Sequence, residues 1–120
     1  MLIEIFDKQS KKGDDALLRL EGASDRTVVT TAINLHEVLS GYVKYTKSIA
    51  TLQQLPVLPF GGKDAELSSK IEVGLERKGT PVRRTDTMIA AVAVNNNARF
   101  FSFNAKDFTP MRDFGLRLLE

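Results

Sequence analysis

The chain has 120 residues, 42% hydrophobic and 27% charged, an ordinary composition for one globular domain spanning residues 1–120 with a core of its own. It has no cysteine and one histidine, which excludes disulfides, thiolate metal centres and His-rich zinc sites. A metal here would need oxygen ligands, which points to Mg²⁺ or Mn²⁺. Basic and acidic residues, 17 against 15, leave a charge of +2, too small to announce a nucleic-acid binder and no bar to one. No apolar run approaches the roughly 20 residues of a membrane span, and the start lacks the basic and apolar regions of a signal peptide. A soluble, cytoplasmic protein is expected.

From the beginning, Met1 to Asp7 is an apolar start with acids at Glu4 and Asp7, read as a short helix, and a Lys/Gln/Ser/Gly loop runs on to Gly13. Asp14 and Asp15 open a second helix that presents Ala16, Leu17 and Leu20 before Gly22 stops it. Thr27 to Ile33 is β-branched almost throughout, the mark of a strand buried on both faces. A helix follows at once. Asn34 is its candidate N-cap, and Leu35, Val38, Leu39, Tyr42, Val43 and Ile49 fall near a helical stripe. Glu37 stands three residues past Asn34, where a capping-box glutamate sits, so it is either a helix-start residue or a carboxylate at the sheet edge.

Pro56 and Pro59 bracket a strand over Val57 to Phe60, with Gly61-Gly62 as the exit turn. The Gly-Gly-Lys that follows is no phosphate loop, because Pro56 and Asp64 stand where a Walker motif needs glycine and a hydroxyl residue. Asp64 caps a helix carrying Leu67, Ile71 and Leu75, ended by Gly79 and the Thr80-Pro81 break. Arg84 to Phe108 then reads as a helix with Thr85 as N-cap and Asp86 in its first turn, an asparagine turn, a short apolar strand, and Asp107 just past the strand's end. After it, turns at Thr109-Pro110 and Asp113-Phe114-Gly115 lead to an edge strand, Leu116 to Leu119.

Helices and strands alternate throughout, which predicts an α/β fold: a mostly parallel sheet with helices on both faces. In such a sheet helix N-termini and strand C-termini share one edge, where ligands bind. Asp86 and Asp107 are both expected there. Each also has an ordinary reading, Asp86 as an acid at the positive end of a helix dipole and Asp107 as a turn residue. Their pairing favours a site.

Three blocks in order, Asn34-Leu-His-Glu-Val-Leu-Ser-Gly-Tyr42, Thr85-Asp-Thr-Met-Ile-Ala-Ala-Val-Ala93 and Phe101-Ser-Phe-Asn-Ala-Lys-Asp-Phe108, resemble the PIN-domain ribonucleases, in particular the VapC toxins of VapBC toxin–antitoxin pairs. The likeness covers nearly the whole chain. It implies a PIN-like, Rossmannoid sheet and a ribonuclease using Mg²⁺ or Mn²⁺ held by Asp86, Asp107 and Glu37. Ser102 and Asn104 would orient those ligands by hydrogen bonds. Leu2-Ile3-Glu4 matches the tail of the family's opening motif, so the first strand and its metal-binding aspartate are expected ahead of Met1, with Glu4 and Asp7 as poor substitutes. A mis-set start or a truncation is the expected cause, and a true loss the alternative.

Arg83 and Arg84 beside Asp86 are candidate RNA contacts, and Lys8, Lys11 and Lys12 weaker ones. His36 is read as a helix-start residue without catalytic work. The resemblance also implies a homodimer, to which Tyr42, Tyr45, Ile49 and Leu52 could contribute, and a VapB-like antitoxin partner. The alternative function is a catalytically inactive PIN-like module that binds a partner protein.

Overall fold

The computed structural model describes residues 2–6, 26–45, 55–102 and 105–118. In chain order these form strand β1 (Leu2–Phe6), strand β2 (Arg26–Thr31), helix α1 (Ala32–Tyr45), strand β3 (Val57–Leu58), helix α2 (Gly62–Arg77) and helix α3 (Arg84–Asn95). Strand β4 (Arg99–Phe101), the short helix α4 (Ala105–Phe108), a 3₁₀ turn (Thr109–Phe114) and strand β5 (Arg117–Leu118) complete them. The strands make one five-stranded sheet in the order β3-β2-β1-β4-β5, and every neighbouring pair is parallel. The expected α/β architecture is the observed one.

The largest departure is at the start. Leu2–Phe6, expected as a helix, is the middle strand of the sheet, with Ile5 in register with Val29 of β2 on one side and Phe100 of β4 on the other. The central strand expected ahead of Met1 is thus supplied by residues 2–6. Ile3, Ile5 and Phe6 favour a pleated surface, and the open ladders of β2 and β4 pair backbone groups that a short isolated helix would leave to water. Glu4 lies within β1. Asp7, the Lys8–Lys12 loop, the helix expected from Asp14 to Gly22, and Ile49 and Leu52 lie outside the described residues.

The junction of β2 and α1 comes two residues earlier than the sequence pattern suggests. Val29, Thr30 and Thr31 are all buried, so both faces of β2 are covered as expected. Thr31, the last strand residue, then caps the helix: its Oγ1 accepts the Asn34 backbone N–H at 3.0 Å and donates to Asn34 Oδ1 at 3.0 Å. Thr31, not Asn34, therefore does the capping, because its hydroxyl reaches the third helical residue. Glu37 falls in the second turn of α1, too far along to close a capping box.

Helix α2 opens at Gly61, and Asp64, its third residue, accepts the Gly61 N–H at 2.8 Å and the Asn95 Nδ2–H at 2.9 Å. That buried carboxylate ties the start of α2 to the end of α3. At the other end Gly79 takes φ 75°, with Thr80 N–H bonding Leu75 O at 2.9 Å and Gly79 N–H bonding Glu76 O at 3.0 Å. This closing motif uses the left-handed conformation that glycine adopts without a steric penalty. Helix α3 ends the same way with Asn97 at φ 53°, which gives the asparagine run its purpose.

Ile89, Ala90, Ala91, Val92 and Ala93 of α3 are all fully buried, against Ile71 and Leu75 of α2, Phe100 of β4 and Met111. A helix apolar on nearly every side belongs inside, and its alanines let neighbours approach closely. Each large aliphatic side chain buried here stabilises by about 1.5–3 kcal/mol. None of the helices among the described residues is long and apolar enough to cross a membrane.

Candidate functional site

Asp86 is the third residue of α3, so its carboxylate sits at the helix N-terminus on the edge where β4 ends. Thr85 is not the cap. Arg83 is, with extended backbone at φ −64° and ψ 142°, and it makes no side-chain capping bond. Its side chain instead folds over the first turn. Nη2 donates to Asp86 Oδ1 at 3.0 Å and Nε to Asp86 Oδ2 at 3.3 Å, a forked pair on a carboxylate that is only 8% exposed. The same Nη2 stands 3.9 Å from Glu37 Oε2 on α1.

Asp107 reaches this place from the other side. It lies on α4, directly after β4, and with Asp86, Arg83 and Lys106 it lines a cavity of about 360 Å³ walled also by Thr80, Pro81, Val82 and Pro110. The Phe100 and Phe108 rings, 4.5 Å apart and inclined at 55°, pin α4 to the sheet one residue beyond Asp107. Two of the three candidate carboxylates thus share one cavity, and Arg83 links the third to them. Lys106 is a cavity residue that the motif blocks did not single out. Its place immediately before Asp107 is the signal that could have marked it.

Ser102 follows β4 and is half-buried, Asn104 lies outside the described residues, and His36 is exposed on α1. Tyr42 and Tyr45 fall on α1. Arg84, expected as an RNA contact beside Arg83, turns to α2: its Nε and Nη2 donate to Glu72 Oε1 and Oε2 at 2.9 and 3.1 Å.

That ion pair has a pH signature. Hydrogen bonds from Arg84 hold the Glu72 carboxyl below the usual glutamate range, helped by the guanidinium charge and opposed by desolvation. The folded value lies under the unfolded one, so the pair's contribution is complete above the unfolded value and is lost as pH falls through the folded one. Glu72→Gln is therefore expected to lower the urea midpoint at pH 7 and to match the parent protein only once the pH has fallen below the lowered folded value of Glu72. A deficit that persists unchanged in acid would mean that lost packing, not charge, was its cause.

The chemistry of the donor set suits a hard divalent cation. Asp86 and Asp107 line one cavity, and Glu37 Oε1 is buried with no hydrogen-bond partner among the described residues. Among the described residues, however, no three acidic or histidine side chains gather closely enough to hold a metal ion as they stand. Mg²⁺ typically needs only one or two protein carboxylates, keeping water in its remaining positions.

The PIN domain family model matches residues 1–111. None of the curated protein sequences matches the chain. Among solved structures the chain is similar to one in VapBC from Salmonella typhimurium bound to DNA, at 25% identity and TM-score 0.77, covering 99% of this chain and 98% of that one. It shares its fold with chains in VapBC-1 from nontypeable Haemophilus influenzae, at 20% identity and TM-score 0.80, and in VapBC2 from Rickettsia felis bound to a promoter DNA fragment, at 23% and 0.77. Both matches cover 99% of this chain and 98% of the other. With the family model spanning nearly its whole length, and two carboxylates meeting at the edge of a parallel sheet, the chain belongs to the PIN domain family.

Proposed function

We propose that this protein is a Mg²⁺- or Mn²⁺-dependent endoribonuclease, the VapC-like toxin of a toxin–antitoxin pair. The observation that carries the reading is the shared cavity of Asp86 and Asp107, flanked by the cations Arg83 and Lys106. A bound divalent ion supplies an acidified water and a clamp for phosphate oxygens. The protein's own groups do the rest.

Asp86 and Asp107 would hold the cation, and Glu37 would offer its buried Oε1 to the attacking water as a hydrogen-bond acceptor. Lys106 attracts the RNA phosphate to the cavity, while Ser102 and Asn104 orient the carboxylates. Hydrolysis joins the water oxygen to phosphorus and breaks the P–O3′ bond, leaving 5′-phosphate and 3′-hydroxyl ends. The VapBC neighbours support a VapB-like antitoxin as the partner that silences this groove, with a homodimer as the toxin's form. Leu39, exposed on α1, suits a subunit contact.

The decisive experiment is incubation of a mixed RNA pool with the protein and Mg²⁺ or Mn²⁺, beside an EDTA control. Cutting that EDTA abolishes is the expected result. Absence of cutting under every metal condition would favour an inactive PIN-like module that binds a partner protein.

A further inference from the structure

We infer that Arg83 is a resident counter-ion of the acidic site, which a divalent cation displaces from Asp86 as it binds. The inference rests on the metal-site reading given above and adds a gate to it. Both Asp86 oxygens are engaged by the Arg83 fork, at 3.0 and 3.3 Å, and the same guanidinium stands 3.9 Å from Glu37. The fork takes one lone pair on each oxygen and sets a positive guanidinium beside the carboxylate that a Mg²⁺ ion would approach to about 2.0–2.1 Å, so the two cations compete for Asp86.

The arrangement has a reason in the metal-free protein. Asp86 is nearly buried and Glu37 carries like charge close by, so an uncompensated pair would repel. Arg83 offsets that repulsion from the solvent side, its own side chain 68% exposed. Because it reaches in from water, its release leaves no buried charge behind. Its backbone position as the α3 cap keeps it at the site after the side chain swings out. Among the described residues Glu37 Oε1 has no hydrogen-bond partner, so the guanidinium satisfies the acids only in part.

Mn²⁺ binding, measured by calorimetry without RNA on the parent protein, Arg83→Gln and Asp86→Asn, tests the inference. Removing the competitor is expected to tighten Mn²⁺ binding roughly tenfold, since a hydrogen-bonded charge must otherwise be broken first. Asp86→Asn is expected to abolish it. Equal affinity of the parent and Arg83→Gln would overturn the counter-ion role while leaving the metal site in place. Undiminished binding by Asp86→Asn would overturn both. A second readout needs only the parent protein: the ¹⁵N resonance of Arg83 Nε is expected to move to a solvent-exposed position as Mg²⁺ is added. Mg²⁺ saturation with that resonance unmoved would refute displacement.

Discussion

Asp86→Asn is expected to lower metal-dependent RNA cleavage by at least about 100-fold, because the loss of groups that merely support metal ligands already costs roughly 10 to 100-fold. The substitution keeps the size of the side chain but removes its charge and turns one acceptor oxygen into a donor. That donor would face either Nε or Nη2 of Arg83, both donors themselves, so the fork is lost along with the carboxylate. Stability is expected to change far less. Arg83 is mostly in water already, and a pair with one solvated partner contributes about 1 kcal/mol or less. Cleavage rate and thermal midpoint measured on the same preparation separate the two effects. A variant that cuts RNA as well as its parent would remove Asp86 from the site.

Much of the fold can be read from the chain's punctuation. The glycine at 79 and the asparagines at 95–97 mark where elements stop, and the structure ends elements at or beside them, while the β-branched run read to Ile33 stops as a strand at Thr31. The meeting of Asp86 and Asp107 was legible for a topological reason: one opens a helix and the other follows a strand of the same parallel sheet. Local pattern failed where a long-range partner decides. Leu2–Phe6 reads as part of a short, apolar helical start until β2 and β4 offer it a ladder on either side. Thr31, Ala32, Ile33 and Asn34 leave several starts open, and the hydroxyl of Thr31 settles which residue caps.

The two arginines show the same limit at the site. Adjacent in sequence, both read as cations available to a phosphate, yet one folds back on Asp86 and the other reaches across to Glu72. Opposite charges three residues apart at a helix start are a local signal, so the Arg83–Asp86 pair was open to inference. The Arg84–Glu72 pair was not, because it depends on how α2 packs beside α3.

Phe100→Ala is expected to cost about 3–5 kcal/mol, a large part of the roughly 5–15 kcal/mol that holds a typical domain together. Phe100 is fully buried in β4, in register with Ile5 of β1 and Leu118 of β5, so removing its ring opens a void in the core. Its ring also packs on Phe108, 4.5 Å between centroids, and Phe108 is the next residue after Asp107. The urea midpoint is therefore expected to fall steeply, and a shift under about 1 kcal/mol would mean that the core collapses onto the gap more completely than such cavities do. Phe100→Leu separates packing from positioning, since it keeps a large apolar side chain while losing the ring pair. If cleavage by that variant drops while it remains folded, the aromatic pair sets the position of Asp107; if cleavage is unchanged, the ring serves the core alone.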